Sequence, residues 1–252
     1  MASLLHDQEQ GVLTLTLNRV DKKNALTADM YAALADHLNQ AQASDTVRVV
    51  LLQGHETVFS AGNDIADFLQ QPPANTDSPV SRFLRGIAVF PKPLLASVCG
   101  PAVGVGTTLL LHCDLVYAGD NAAFSMPFVN LGLCPEAASS LLAVKLMGYQ
   151  RAAEALLMGE PFMVESALEM GLVSRVLPPA EVNAYAQRQA QKMAAKPLSS
   201  LIETKRLMKQ AGTAAVLSQM DQEAAVFGRM LKEPAAIEAF SAFMEKRKPV
   251  FA

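Results

Sequence analysis

The chain has 252 residues, of which 51% are hydrophobic and 18% are charged, and its formal net charge is −3. A chain of this length and composition can bury a large core as one globular domain. Its slight negative charge gives no general attraction to nucleic acid or to an anionic membrane surface, so an anionic ligand would need a local cluster of cations.

The N-terminal elements alternate between strand and helix. Leucines alternate with threonines over 11–17, a period of two that predicts a strand. Thr27 is a suitable N-cap, and the apolar stripe that follows it predicts a helix over about 28–43. The nearly continuous aliphatic run over 47–53 is typical of a strand that is covered on both faces.

Two glycine-containing turns follow predicted strands. The first turn breaks at Gly62, and the second follows the apolar run 94–99 and contains Gly104 and Gly106, just before a helix-like segment over 107–112. Turns of this kind and the first turn of a helix leave backbone N–H groups free to hold an anion or an oxyanion. In a mostly parallel sheet, both turns would lie at the same edge.

The residues after these glycines allow several interpretations. A dinucleotide-binding G-x-G-x-x-G motif is disfavoured, because its third glycine position is Leu109. The run 112–114, His-Cys-Asp, cannot be a catalytic triad, since neighbours on a helix point in different directions, and it is interpreted as core. Pro135 is suited to open a helix with Glu136 in its first turn, where this carboxylate could either complement the helix dipole or act in catalysis.

The rest of the chain is predicted to be mostly helical, after a proline-rich surface loop over 70–79. Glycines and prolines separate the helices. The predicted helices cover residues 137–147, 149–158, 164–170, 180–195, 198–210, 214–230 and 234–246.

Several features indicate a reduced, intracellular compartment. Cys99, Cys113 and Cys134 lack metal-ligand spacing, which favours reduced thiols and predicts no metal site. No long apolar run, secretory signal or C-terminal peroxisomal signal is apparent. We therefore expect a cytoplasmic protein that does not span a membrane.

Five segments resemble the crotonase family, that is, the enoyl-CoA hydratase/isomerase superfamily. They are FSAGNDIADF, PKPLLASVCGPAVGVGTTLLLHCDLVYAG, FSMPFVNLGLCPE, ALEMGLVSRVLP and the terminal AFMEKRKPVF. The resemblance implies an α/β crotonase (ClpP-like) fold, with a spiral of ββα units over 1–195 and a helical trimerisation region over 196–252. It also implies a homotrimer or dimer of trimers, an acyl-CoA thioester substrate as in β-oxidation of fatty acids, no separate cofactor, and neither nucleic acid nor membrane as a partner.

The resemblance also assigns roles in catalysis. It implies that the backbone N–H groups of Asn63 and Val105 form an oxyanion hole. Hydratases of the family use two glutamates at positions that here hold Thr108 and Phe128, neither of which is a base near neutral pH. The segment LGLCPEAASS instead resembles the Δ3,Δ2-enoyl-CoA isomerase branch, whose single catalytic glutamate matches Glu136.

An isomerase that converts 3-enoyl-CoA to 2-enoyl-CoA is therefore expected. Glu136 would move the proton, and apolar neighbours including Phe128 and Leu133 would exclude water and raise the pKa of its carboxyl. A hydratase or another crotonase reaction that uses Glu136 is the enzymatic alternative. A CoA-binding interaction protein without turnover is the alternative from a different functional class.

The resemblance further implies contacts with CoA. Either Lys22 or Lys23 would lie near phosphates, and Phe243 and Lys246 would reach a nucleotide bound by a neighbouring subunit. Lysine ammonium groups are suitable partners for phosphate. The residues expected around the adenine pocket are Ala25, Leu26, Ala61, Gly62, Asp64 and Ile65.

Overall fold

The computed structural model describes residues 2–71 and 77–251. The described strands form two sheets, the larger with the order β1-β2-β3-β4-β6-β9 and the smaller with the order β5-β7-β8. The strands are β1 Leu4–Glu9, β2 Val12–Leu17, β3 Val49–Gln53, β4 Leu94–Val98, β5 Pro101–Val103, β6 Leu115–Gly119, β7 Ala123–Ser125, β8 Phe162–Met163 and β9 Arg175–Leu177.

The larger sheet is parallel from β2 to β9. The carboxyl ends of β3 and β4 therefore lie together, so the expectation that the two glycine turns share one edge is confirmed. Strand β1 was not predicted, and it pairs antiparallel with β2. Five of its six residues are exposed, so it lacks the apolar alternation that would have indicated a strand.

The helices account for most of the remaining chain. They are α1 Ala28–Ala43, α2 Ile65–Gln70, α3 Pro79–Val89, α4 Val105–Thr108, α5 Ser139–Met147, α6 Tyr149–Ala153, α7 Val164–Glu169, α8 Pro179–Ala194, α9 Leu198–Met230 and α10 Pro234–Met244. Short 3-10 segments cover Val20–Lys22, Leu109–His112 and Val129–Leu131, and a π-helical turn covers Glu154–Met158.

The predicted start of helix α1 is confirmed by its cap. The side chain of Thr27 accepts a hydrogen bond from the backbone N–H of Met30. The apolar stripe of this helix, which includes Tyr31, Leu34 and Leu38, is buried against the sheet and against α3. The N-cap and the apolar stripe are both local signals, which explains why this helix could be predicted from the sequence.

Two helix predictions were wrong, and one short helix was missed. Helix α9 runs unbroken through Gly212, because one glycine costs a helix only about 1 kcal/mol and the packing of a long helix can offset it. Helix α5 begins at Ser139 rather than 137, since Ala137 and Ala138 have left-handed backbone conformations. Helix α2 was not predicted; it follows the turn at Gly62, and Asp64 caps it by accepting from the N–H of Asp67.

Helices cover both faces of the larger sheet. Helix α8 covers one face through small residues such as Ala186 and Ala190, which pack on Val49, Leu51 and Leu95. Helices α1 and α3 cover the other face within the main core. Within the described ranges, no helix is long and apolar enough to span a membrane. The middle of the predicted 70–79 loop, residues 72–76, lies outside the described residues.

Candidate active site

The two glycine turns pack directly against each other. The N–H of Val103 donates to the carbonyl of Ser60 at 2.9 Å, and the N–H of Ser60 donates to the carbonyl of Pro101 at 3.1 Å. A β carbon at Gly62 would lie 2.8 Å from the Val103 carbonyl oxygen, and one at Gly106 would lie 2.9 Å from that of Ser60. Both positions therefore need glycine for this close approach.

The two expected oxyanion donors lie in these turns. The N–H groups of Asn63 and Val105 have no acceptor within the described part of the chain. Val105 opens helix α4 after Gly104, whose φ of +55° suits glycine. Asn63 lines a cavity between helices α3 and α9, whereas Val105 is almost fully buried and is not among the residues that line it. Free N–H groups at such turns can stabilise negative charge on an oxygen.

A side chain from helix α1 holds Asn63. The hydroxyl of Tyr31 donates a hydrogen bond to the side-chain oxygen of Asn63. Burial, with a further contribution from the charge of Glu136, raises the pKa of Tyr31 well above its usual range. The hydroxyl therefore stays protonated and remains a donor at neutral pH.

A cavity of about 250 Å³ lies between helices α3 and α9. Glu136 and Asn63 both line it, so the expected base and one expected oxyanion donor reach the same space. The other lining residues are Phe68, Val80, Ser81, Leu84, Arg85, Ala137, Met220, Asp221, Glu223, Ala224, Phe227 and Gly228.

Glu136 has the ionisation properties of a base that works near neutral pH. Burial raises the pKa of its carboxyl to about 7, and the charge of Glu223 acts in the same direction. The hydroxyl of Thr108 opposes this by donating to Oε1 of Glu136 at 2.5 Å. The residue as a whole keeps some exposed surface because it faces the cavity. A carboxyl with this pKa is ionised in about half the molecules at pH 7.

The turn behind Glu136 is strained. Ala137 and Ala138 have φ values of +61° and +55°, although neither is glycine. Each left-handed alanine costs roughly 1–2 kcal/mol, so surrounding contacts must hold the turn. The Ser139 hydroxyl donates to the Glu136 carbonyl at 2.6 Å. The expectation that Pro135 opens a helix was wrong, because these residues form a turn before α5.

Two side chains expected at the site lie behind its wall. Phe128 and Leu133 are buried in an apolar cluster and are not among the residues that line the cavity. Phe68 and Phe227 belong to the same cluster and do line the cavity. Phe128 and Leu133 therefore support an apolar wall rather than form its surface.

The residues expected around the adenine of CoA come together in the structure. The N–H of Leu26 donates to the Gly62 carbonyl at 2.8 Å, and the N–H of Asp64 donates to the Leu26 carbonyl at 2.9 Å. Arg19, which sequence analysis missed, bridges the two segments through the Ala25 carbonyl and the Asp64 carboxylate.

The other residues expected to contact CoA lie in two places. One group lies in or beside the two segments that Arg19 connects, and the other lies at the end of helix α10. The N–H of Ala61 donates to the Lys23 carbonyl, and Ile65 begins helix α2. Lys22 and Lys23 are exposed, which leaves both ammonium groups accessible. Phe243 lies exposed near the end of helix α10, and Lys246 follows that helix, also exposed.

Sequence analysis also missed three side chains at the site. Thr108 was noted only as a lost glutamate, yet it contacts Glu136. Tyr31 was interpreted only as part of an apolar stripe. Glu223 went unnoticed, although its spacing from Met220 and Phe227 places it on the buried face of α9, and an acid on such a face is a usable signal.

The chain is similar to a described protein family and to solved structures. A family model described as "Enoyl-CoA hydratase/isomerase" matches residues 7–252. The crystal structure of an enoyl-CoA hydratase/isomerase from Pseudoalteromonas atlantica T6c is 40% identical, with a TM-score of 0.95 over the full length of both chains.

The similar curated proteins carry both hydratase and isomerase names. The 2,3-dehydroadipyl-CoA hydratase of Escherichia coli is 33% identical over 100% of this chain and 99% of its own length. The 1,2-epoxyphenylacetyl-CoA isomerase of the same organism is 36% identical over 100% and 98%. Enoyl-CoA delta isomerase 2 of Rattus norvegicus is 41% identical over 69% of this chain, which spans 46% of that longer protein.

Proposed function

We propose, from the premise that this chain belongs to the enoyl-CoA hydratase/isomerase family and has its crotonase fold, that it isomerises 3-enoyl-CoA to 2-enoyl-CoA. The observation that carries the proposal is Glu136, whose buried carboxyl has a pKa of about 7 and lines the cavity between α3 and α9 together with Asn63. The similarity to a protein named enoyl-CoA delta isomerase 2 supports the same reaction.

The proposed reaction needs one base and an oxyanion site. The Glu136 carboxylate takes a proton from C2, and the electrons of the broken C–H bond form a dienolate whose charge rests on the thioester oxygen. The N–H groups of Asn63 and Val105 stabilise this oxygen, each donor contributing ~3 kcal/mol in a dry site. The protonated carboxyl then returns the proton to C4, which leaves the double bond between C2 and C3. No separate cofactor takes part.

Hydration is the second candidate, because a relative that matches the full chain is named a hydratase. Adding water requires a group to activate the water as well as one to protonate carbon. At the two positions where hydratases carry their glutamates, this chain has Thr108, which donates its hydroxyl to Glu136, and Phe128, which is buried. Glu223 also lines the cavity, but its carboxylate already accepts from the N–H groups of Ala138 and Ser140 and from the Ser140 hydroxyl. Glu136 is then the carboxylate left to act as a base, which favours the proton shift over hydration.

For binding, we propose that the segments joined by Arg19 hold the CoA nucleotide, with Lys22 or Lys23 near its phosphates. The apolar walls contributed by α3 and α9 would then receive the acyl chain. We also propose a homotrimer or dimer of trimers, in which Phe243 and Lys246 contact the nucleotide of a neighbouring subunit.

The test compares wild-type protein with Glu136→Gln on a 3-enoyl-CoA and, separately, a 2-enoyl-CoA. We expect the wild type to form the conjugated thioester from the first substrate and no 3-hydroxy product from the second. Glu136→Gln should lower kcat by about 10²-fold or more. Glu165→Gln, an exposed change on α7, serves as the matched control and should behave as wild type. Rapid hydration of the 2-enoyl-CoA would overturn the proposal.

A further inference from the structure

We infer that Glu223 on helix α9 and His112 are positioning residues that hold the Glu136 carboxyl at the cavity by clamping the left-handed turn behind it. The inference rests on the proposed role of Glu136 as the base. It concerns residues that would not touch the reacting atoms, because each acts on the backbone that carries Glu136.

The residues of the turn behind Glu136 do not by themselves favour its conformation. Ala137 and Ala138 are consecutive left-handed residues, a conformation that a β carbon disfavours. Ala138 is the N-cap of α5 but has no side-chain oxygen to accept from the first helical N–H groups. Such a turn persists where surrounding contacts fix it.

Glu223 supplies the cap that Ala138 lacks. Its Oε2 accepts from the N–H of Ala138 at 2.5 Å, and its Oε1 accepts from the N–H of Ser140 at 3.0 Å. The hydroxyl of Ser140 also donates to Oε1, and it accepts in turn from the amide of Gln219. A buried carboxylate with three donors, at the start of a helix, fixes the turn from a residue far along the chain.

His112 fixes the other side of the same turn. Its Nε2 lies 2.8 Å from the carbonyl oxygen of Ala137. Because a carbonyl oxygen can only accept, Nε2 must carry the hydrogen in this contact. Burial lowers the pKa of His112 to about 4, and the charges of Lys209 and Lys205 act in the same direction. The imidazole is therefore neutral throughout the working pH range and adds no charge near Glu136.

Glu223 also sets the electrostatic environment of Glu136. Both carboxyls line the same cavity, and the negative charge of Glu223 favours protonation of Glu136. The burial of Glu223 raises its own pKa, whereas its three donors favour the ionised form. Within the described residues, the other titratable or charged groups around the pair are Tyr31, Arg85, His112, Cys134, Asp221 and Arg229, with Lys205 and Lys209 next to His112.

The test is Glu223→Gln in the full-length protein. The glutamine oxygen can still accept from one of the two N–H groups, Ala138 or Ser140, but its NH2 group cannot accept from the other. The turn therefore loses one of these hydrogen bonds. We expect kcat to fall roughly tenfold or more with KM changed less than about threefold, since misplacing a base slows the chemical step. Glu203→Gln is the matched control, because Glu203 lies exposed on the same helix and should behave as wild type.

A second readout does not depend on turnover. In protein labelled with ¹³C at glutamate carboxyls, Glu136 is assigned by its loss in Glu136→Gln, and its pKa is then measured without substrate. We expect the pKa of Glu136 to lie near 7 in wild type and to fall in Glu223→Gln. This fall reports the lost charge of Glu223. The clamp itself is measured by amide hydrogen exchange at Ala138 and Ser140, which should become faster in Glu223→Gln.

Ser140→Ala provides a milder change in case Glu223→Gln fails to fold. It removes the hydroxyl donor to Glu223 and leaves both N–H donors, so kcat should fall by a smaller factor. If Glu223→Gln folds and both its kcat and its Glu136 pKa match those of wild type, the inference is wrong. If only Ser140→Ala folds, an unchanged kcat in that variant contradicts the inference. If wild type does not isomerise 3-enoyl-CoA but amide exchange at Ala138 and Ser140 becomes faster in Glu223→Gln, the proposed function fails and the clamp stands.

Discussion

The two halves of the candidate site are built by different means. The donor turns around Asn63 and Val105 are set by backbone hydrogen bonds between neighbouring segments, such as Val103 to Ser60. The turn that carries Glu136 is set by side chains, above all Glu223 and His112. The donor turns, the backbone half, should therefore tolerate side-chain changes wherever a β carbon fits. In the Glu136 turn, the side-chain half, each change to a side chain that holds the turn should lower kcat.

The largest effect expected in the backbone half comes from Gly62→Ala. The new β carbon would meet the Val103 carbonyl at 2.8 Å, and Gly62 has a φ of +87°, so the two donor turns must separate. Loss of one oxyanion donor costs about 10²-fold in kcat, which steady-state assays would detect. The control is Gly86→Ala, because the new β carbon would make only an ordinary van der Waals contact with Leu38. This variant should retain wild-type kcat.

The ionisation of Glu136, in the side-chain half of the site, should determine the pH dependence of kcat/KM. Burial holds the pKa of Glu136 at about 7, and the base must be ionised to accept a proton. We expect kcat/KM to fall about tenfold for each pH unit below 7 and to level off above it. A profile that stays flat down to pH 5 would remove Glu136 from the role of base.

The raised pKa of Glu136 also predicts a stability effect. Because the folded protein binds this proton more tightly than a glutamate with a pKa of 4.5, unfolding free energy is lost as pH rises from about 4.5 through about 7. Glu136→Gln should therefore stabilise the protein at pH 8 by up to about 3 kcal/mol, and much less at pH 4. Urea unfolding of both proteins at the two pH values measures this difference, and equal differences would contradict it.

The smallest effect on activity is expected from Val105→Ala. The proposed donor at this position is the backbone N–H, so kcat should change less than about threefold. The side chain is buried in the core, so thermal unfolding should still report a loss of about 1–2 kcal/mol. A large loss of kcat in a folded variant would show that the backbone half depends on its side chains as well.

The same contrast explains what the sequence could predict. The parallel order of β3 and β4, and hence the meeting of the donor turns, follows from local apolar patterns and glycines. Helix α1 was predicted at its observed bounds because Thr27 and its stripe are local signals. Features that depend on neighbouring residues in the chain were therefore within reach.

Features that depend on distant contacts were missed. Glu223 contacts the turn at Ala138 from 85 residues along the chain, and no local pattern specifies that pairing. The left-handed alanines themselves contradict local preference, so a helix was predicted where the clamp imposes a turn. The contact between Thr108 and Glu136 likewise exists only once α4 and this turn are brought together.

In the proposed reaction, one carboxylate, that of Glu136, moves a single proton from C2 to C4. The most direct test is turnover of a 3-enoyl-CoA deuterated at C2 in ordinary water, with the 2-enoyl-CoA product examined by mass spectrometry and NMR. We expect a measurable fraction of the deuterium at C4 of the product from the first turnovers. Complete loss of the label to solvent, or its retention at C2 alone in a 3-hydroxy product, would contradict it.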